Sequence, residues 1–186
     1  MKGARLLIIL LVIVIVIGGI LASRYNSLVG MEERVDSQWA QVENQLKRRA
    51  DLIPNLVETV KGYASHEEEV LTQITEARSS FNAASTPQEY AEANAQFERA
   101  LSNLYVVVEN YPELKASQNF SELQYELAGT ENRIATERMR YNEAVEEFNR
   151  TVRRFPTNII AGIFGFEEKQ YFEIDDKDME VPEVNF

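Results

Sequence analysis

The chain has 186 residues, no cysteine, and 30 acidic residues against 19 Lys and Arg, which gives a formal net charge of −11. Without cysteine, this chain cannot use disulfides, thiol nucleophiles, iron–sulfur clusters or Cys-ligated zinc. The acidic balance argues against a nucleic-acid partner, because the chain repels phosphate backbones.

The first predicted element is an apolar stretch near the N-terminus. Residues 6–22 read LLIILLVIVIVIGGILA and follow Lys2 and Arg5. At a rise of ~1.5 Å per residue, this stretch is just long enough to cross a bilayer core. It predicts a single transmembrane anchor over residues 1–24. A cleaved signal peptide, with Ala22 at the cleavage site, is the alternative, although the run is longer than a typical signal core.

The charges that flank the anchor predict its orientation. Lys2 and Arg5 favour a cytoplasmic N-terminus, with the rest of the chain outside the cytoplasm. Arg24 and Arg34 lie on the other flank and reduce the difference between the two sides.

Beyond the anchor, apolar residues recur every seven positions. One seam, broken at Glu67, consists of Trp39, Leu46, Ile53, Val60, Ile74 and Phe81. A second seam runs beside it and is interrupted at Arg49. Two interleaved seams predict helical packing against antiparallel neighbours.

The next helix has a clear predicted start. Thr86-Pro87-Gln88-Glu89 offers an N-cap hydroxyl, a proline at the first helical position and a glutamate that completes a capping box. The Tyr111-Pro112 step predicts an end or a kink, because a residue before proline avoids helical geometry.

The most regular seam belongs to the third helix of the body. Its heptad positions are Phe120, Leu127, Ile134, Tyr141, Phe148 and Phe155. Asn119 is the predicted N-cap, with Glu122 three residues later, and Pro156 ends the helix. The predicted length is about 54 Å, which is ordinary for an extended bundle.

These elements predict an all-α fold, in which a single N-terminal transmembrane helix precedes an elongated antiparallel bundle of three or four long helices. The bundle occupies residues 25–156. Residues 157–186 form an apolar docking segment, which includes NIIAGIFGF, and an acidic tail. We expect the apolar segment to pack on the bundle end or touch the membrane surface, and the tail from Glu167 onward to be solvated and partly disordered.

Several polar residues lie on or beside the packing seams. Arg49 occupies a seam position, and Thr130, Glu131 and Arg138 fall along a seam of the third helix. Either their stems cover the edge of an apolar stripe while the charged groups reach water, or they form an interhelical network that fixes helix register. In the second interpretation, Arg49 and Asp51 meet Arg138 and Glu131.

Pro54 lies within the first body helix, and the seam keeps its phase through it. This predicts a kinked but continuous helix, in which Asn55 or Arg49 could donate to the freed Ala50 carbonyl. The alternative is a new helix that Asp51 caps. Together these observations define a candidate polar joint made of Arg49, Asp51, Pro54, Asn55, Glu131 and Arg138.

Catalytic and metal-binding patterns are not found. His66 is the single histidine, whereas a di-iron bundle needs two Glu-x-x-His pairs and a zinc protease needs two histidines. No phosphate loop or nucleophile elbow is present in the sequence. We therefore predict a protein that is not an enzyme and has no catalytic, cofactor-binding or metal-binding residue.

Long strings of the sequence resemble the LemA family of bacterial membrane proteins. They are VENQLKRRADLIPNLVETVKGYASHE (42–67), ITEAR (74–78), YPELKA (111–116) and LQYELAGTENRIATERMRYNEAVEEFN (123–149), with FP and FGF after them. The resemblance implies a short membrane anchor followed by an antiparallel helical bundle, in the bacterial cytoplasmic membrane. It implies no reaction and no cofactor.

The sequence thus favours a non-enzymatic interaction or scaffold protein of the bacterial cell envelope, bound to lipid through its N-terminal helix. Gly18-x-x-x-Ala22 and Gly19-x-x-x-Ser23 are small-residue pairs that favour close helix approach, and hence a homo-oligomer. An accessory subunit of an envelope stress or membrane-proteolysis complex, with an envelope protein as partner, is the alternative. A carboxylate-based enzyme ranks last.

Overall fold

The computed structural model describes residues 2–173, with side chains from Leu7 onward. This range contains helices and irregular segments but no strand, so the all-α class is confirmed for it. The helices are α1 (Lys2–Lys61), α2 (Glu68–Ala83), α3 (Pro87–Val108), α4 (Pro112–Lys115), α5 (Gln118–Arg153) and α6 (Thr157–Phe164). Residues 174–186, which hold most of the predicted acidic tail, lie outside the described residues.

Helix α1 joins the apolar stretch to the body without a break. It is 60 residues long and continues through Gly18 and Gly19. The large apolar side chains between Leu7 and Leu21 are all exposed, so this stretch is not packed as a core helix. Its most apolar 18-residue window has a mean hydropathy of 2.8, and by length and composition the helix could cross a membrane.

The same helix also continues through Pro54, as the seam predicted. Leu46, Ile53 and Val60 are buried on one face on both sides of the proline, so their packing holds the helix in phase. The alternative of a new helix capped by Asp51 is wrong, because Asp51 lies inside α1.

Between Lys61 and Glu68 the helix is interrupted. The seam predicted only a local break at Glu67, whereas residues 62–67 form a turn that separates α1 from α2. Tyr63 and Ala64 both donate their backbone N–H to the Val60 carbonyl, which closes the end of α1. The heptad spacing resumes in α2 because Ile74 and Phe81 are buried there.

Helix α3 begins as predicted. The Thr86 hydroxyl accepts from the Glu89 N–H, and the Glu89 carboxylate accepts from the Thr86 N–H at 3.1 Å. Three residues link α2 to α3, and the two helices run antiparallel: Gln73 pairs with Asn103, and Ser80 with Gln96.

Helix α5 starts earlier than the predicted cap. Asn119 is its second residue, and the first turn is closed instead by the Ser121 N–H, which donates to the Ser117 carbonyl. At its other end α5 stops at Arg153, before Pro156, as predicted.

By its contacts the chain divides into two compact units. Among the described residues, the first contains residues 2–38 together with Asn142–Lys169, and the second contains Trp39–Tyr141 and residues 170–173. Helices α1 and α5 contribute residues to both units.

In the first unit, the chain after α6 packs against α1 and α5. Gly165 has a φ of 78° and ends α6 in the left-handed conformation, which glycine adopts without a steric penalty. Phe166 can then approach Tyr25 and Phe148, with ring centroids 5.8 and 6.4 Å apart.

A buried asparagine holds the next residues of the first unit. Asn149 Nδ2 donates to the Lys169 carbonyl at 2.9 Å, and the Lys169 N–H donates to Asn149 Oδ1 at 2.8 Å. The Lys169 ammonium pairs with Glu32 at 2.6 Å. The expectation of a solvated tail from Glu167 onward is therefore wrong at Lys169, because paired backbone groups and an ion pair fix it.

In the second unit, aromatic rings gather around Trp39. Its ring lies 5.6 Å from Tyr90, 5.2 Å from Tyr141 and 6.1 Å from Phe172, measured between centroids. Phe172 is buried, and the Tyr141 hydroxyl donates to the Gln170 carbonyl at 2.7 Å. This part of the predicted tail is thus also packed, since an apolar aromatic side chain enters the core.

Candidate functional site

The most unusual side chain in the second unit is a buried arginine. Arg49 is 2% exposed and projects from the face of α1 that also buries Leu46 and Ile53. Since a guanidinium carries five donors and stays charged, burial requires acceptors around it. Two other helices provide them for the two terminal nitrogens, whereas Nε is buried without a hydrogen-bond partner among the described residues.

Helix α3 places two polar groups on Arg49. The Asn94 Oδ1 atom accepts from the Arg49 Nη1 atom at 2.9 Å, and the Glu98 carboxylate contacts Nη2. Asn94 and Glu98 are four residues apart, so one face of α3 presents both. Phe97 of the same helix offers its ring, with the guanidinium carbon 5.0 Å from the ring centroid.

Helix α5 contributes the third polar partner, because the Glu131 carboxylate contacts Arg49 Nη1. Thr130, beside it, is fully buried and donates its hydroxyl to the Leu127 carbonyl of its own helix at 2.7 Å. We call Arg49, Asn94, Glu98 and Glu131 the arginine cluster. It joins three helices whose residues are far apart in sequence.

The cluster carries one excess negative charge, since two carboxylates meet one guanidinium. Burial raises the pKa of the Glu98 carboxyl, and the nearby Glu131 charge raises it further, while Arg49 opposes both. Burial also raises the pKa of the Tyr105 hydroxyl, with the Glu98 charge as a second cause. Glu98 and Glu131 are 43% and 44% exposed, so water screens the outer side of each pair.

The structure brings together only part of the candidate polar joint. Arg49 and Glu131 meet, as the network interpretation expected. Asp51 is exposed and Arg138 is half-buried, and in the described part of the chain neither forms an ion pair with the cluster. Asp51 lies two residues from Arg49 along α1, which turns its side chain away from the buried face.

The other two members of the candidate joint lie further along α1. Pro54 is half-buried, and the exposed Asn55 accepts the Thr59 hydroxyl on its carbonyl at 2.7 Å. Asn55 also lines a cleft of about 430 Å³ with Glu58, Glu122 and Glu126. Arg49 donates to the cluster, so its guanidinium is directed there and not to the Ala50 carbonyl.

Sequence reasoning missed Asn94, Glu98 and Asn149. Asn94 and Glu98 have the four-residue spacing of a helix face next to the seam residue Phe97, which was the available signal. Asn149 follows the seam residue Phe148 directly, yet the spacing could not show that a later segment would bind its amide.

The arrangement of side chains around Arg49 fits a structural role better than a catalytic one. Its two carboxylates already face a cation, and the cluster contains no nucleophilic side chain. Within the part of the chain that the structure describes, no group of three or more His, Cys, Asp or Glu side chains could hold a metal ion. His66 is exposed.

The family of the chain follows from comparison with known proteins. A model of the LemA family matches residues 38–186. The matched residues include both the arginine cluster and the buried Asn149. Because the match extends over most of the sequence, the chain belongs to the LemA family.

Curated relatives have lower identity but extend over most of the chain. The magnetosome proteins MamQ 1 and MamQ 2 of Paramagnetospirillum magneticum are each 27% identical, over 82% of this chain and 66% of their own length. Protein LemA of Metamycoplasma hominis is 25% identical, over 76% of this chain and 65% of its own length. The chain thus spans just under two thirds of the length of these relatives.

Proposed function

We propose that this chain is a single-pass, membrane-anchored interaction or scaffold protein of the bacterial cell envelope that works without catalysis and associates with copies of itself. The observation that carries the proposal is the continuity of α1. Its exposed apolar part and its buried body part belong to one helix of 60 residues.

The apolar part supports an anchor more than a core element. Every large apolar side chain from Leu7 to Leu21 is exposed, and an apolar surface of this extent needs lipid or another helix to cover it. Added Cβ atoms at Gly18 and Gly19 would meet nothing within 4 Å, so these two positions are open to a second helix.

The arginine cluster supports a scaffold role for the body. A buried cation on α1 with fixed partners on two other helices disfavours shifted helix registers, because any shift would leave a buried charge unpaired. We propose that the cluster sets the register of the antiparallel bundle that the heptad seams predict. The function then lies in the surfaces that the bundle presents, and the domain division is an anchor over 1–24, a bundle over 25–156 and a docking segment with a tail over 157–186.

We further propose a cytoplasmic N-terminus and a body outside the cytoplasm, from the charges of Lys2 and Arg5. The test of the anchor is the mass of the protein extracted from bacterial membranes, after a carbonate wash that removes peripheral proteins. We expect an intact chain in the washed membrane fraction. A mature chain that begins after Ala22, or release of the protein by carbonate, would contradict the anchor.

A further inference from the structure

Helix α6, in the first unit, leaves one apolar face uncovered. Ile159 and Ile163, four residues apart, are exposed, while Thr157, Ile160 and Ala161 are buried on the other side. Phe155 precedes the helix and is 76% exposed. Single exposed apolar side chains are common, but two isoleucines on one helix face, with an exposed phenylalanine just before the helix, indicate a surface that another apolar phase covers.

The C-terminal end of α6 lies next to the end of the apolar part of α1. The rings of Tyr25 and Phe164 are in contact, with centroids 4.8 Å apart. Tyr25 is four residues beyond Leu21, the last large side chain of the exposed apolar run, which corresponds to about 6 Å along the helix. If α1 spans a bilayer, α6 therefore lies at the depth of the lipid headgroups, where aromatic side chains are favoured.

A cationic cleft opens beside α6. It has a volume of about 340 Å³, and Arg24 and Arg154 line it together with the hydroxyl-bearing Ser27 and Thr151. No Asp or Glu is among its lining residues, and within residues 7–173 neither arginine forms an ion pair. Guanidinium groups bind phosphate oxygens with two parallel hydrogen bonds. The Ser27 hydroxyl offers a further donor, whereas the Thr151 hydroxyl already donates to the Glu147 carbonyl at 2.8 Å.

We propose that α6 and this cleft dock onto anionic phospholipid, with the headgroup phosphate held between Arg24 and Arg154. Phe155, Ile159 and Ile163 then enter the boundary between headgroups and acyl chains. The inference rests on the proposed anchoring of α1. The docking would give the first unit a second attachment to the membrane. The ligand of the cleft is then a phosphodiester at a lipid surface.

The overall charge of the chain does not oppose this contact. The net charge of −11 is spread over 186 residues, whereas screening at physiological ionic strength limits each charge to a range of about 8 Å. Charges beyond that range contribute little at the cleft, whose lining has two arginines and no carboxylate. The anchor also holds α6 at the surface, which makes its binding an intramolecular step at a high effective concentration.

The absence of cysteine in this chain allows single-site labelling for the test. An environment-sensitive fluorophore is attached to Ile163→Cys in the full chain, which is reconstituted into nanodiscs of phosphatidylcholine with or without phosphatidylglycerol. With phosphatidylglycerol we expect a blue-shifted emission that brominated acyl chains quench. The matched control is Met139→Cys, which is also exposed but belongs to the second unit, and which should report water in both lipids.

The role of the cleft is tested by Arg24→Gln combined with Arg154→Gln. In phosphatidylglycerol discs we expect the ratio of lipid-exposed to water-exposed Ile163 probe to fall by roughly an order of magnitude or more, as expected for two lost basic contacts with an anionic surface. The double Lys variant keeps the charge and should retain most of the effect. Arg48→Gln, remote from α6 in sequence and in the second unit, should change nothing.

Three results would overturn the inference. In the first, the Ile163 probe stays in water in both lipids. In the second, brominated chains quench it equally in both lipids and in the Gln variant. In the third, excess glycerol phosphate moves the probe from lipid into water, which would identify a free phosphate as the ligand. A probe at Leu11→Cys separates these failures from that of the proposed function. If the Leu11 probe is quenched and the Ile163 probe is not, the membrane anchor is supported and the docking of α6 is contradicted. If neither probe is quenched, both proposals are contradicted.

Discussion

Arg49 of α1 and Glu131 of α5 are in contact although 82 residues separate them. The guanidinium is buried, and it reaches Asn94 and Glu98 of α3 at the same time. One side chain of α1 thus contacts polar groups of two other helices in the second unit.

Replacing Arg49 with Ala is expected to lower the free energy of unfolding by about 3 kcal/mol, because two carboxylates would lose their cation in a partly buried site. The estimate is at the lower end of the range for buried pairs, since water reaches both carboxylates. Urea unfolding of the full chain in detergent, followed by the fluorescence of Trp39 in the same unit, measures it.

The matched control for this change is Arg48→Ala, one position away. Arg48 pairs with Glu126 at 3.1 Å, but both side chains are more than half exposed. We expect a loss of at most about 1 kcal/mol, as for surface ion pairs. Equal losses for the two variants would contradict a special role of the buried cluster.

The raised pKa of Glu98 predicts a pH dependence of stability. Because its pKa in the folded state lies above that of the unfolded chain, the folded state binds more protons between the two values. Its contribution to stability is therefore fully present below the unfolded pKa and is lost as the pH rises through the folded pKa. Glu98→Gln should remove this decline of stability with rising pH. The measurement is the free energy of unfolding of both proteins at a series of mildly acidic pH values. An unchanged pH profile would refute the assignment.

Asn149 is predicted to hold the segment around Lys169. Asn149→Ala should cost about 1–3 kcal/mol, because the Lys169 backbone N–H and carbonyl would lose their partner in a buried site. Hydrogen exchange followed by mass spectrometry should show faster exchange at Lys169. Asn132→Ala, at an exposed position of the same helix, should leave this exchange unchanged.

Two glycines of the first unit should respond oppositely to the same substitution. Gly165→Ala is expected to destabilise by about 1–2 kcal/mol, since a Cβ is unfavourable at a φ of 78°. Gly30→Ala lies within α1, where an added Cβ meets nothing within 4 Å, and should stabilise the helix by about 0.5–1 kcal/mol. Thermal unfolding followed by circular dichroism measures both changes. A loss of stability at both positions would contradict this explanation.

Much of the fold could be predicted from the sequence, because local chemistry determines it. The proline-bearing start of α3 and the stop of α5 before Pro156 each depend on residues close in sequence. The passage of α1 through Pro54 followed from the unbroken heptad spacing of its buried residues. The sequence indicated only an interruption at Glu67 and not the full turn over residues 62–67, because the heptad spacing of apolar residues resumes in α2. The site was predicted in part: Arg49 stood out as a cation on an apolar seam, and Glu131 as a polar residue on another.

The rest depends on contacts between distant segments. Asn94 and Glu98 resemble ordinary surface residues of a helix until α1 places a cation beside them. Lys169 and Phe172 lie in an acidic stretch whose composition indicates disorder, and only the buried acceptor of Asn149 and the aromatic rings around Trp39 explain their packing.

The most direct test of the proposed function is the mass of the full chain in detergent micelles, measured by light scattering over a range of concentrations. We predict a dimer or larger assembly, and a shift towards monomer when Gly18 and Gly19 are both replaced by Leu, since these positions are open in the single chain. A monomer at every concentration would contradict the account of a self-associating scaffold.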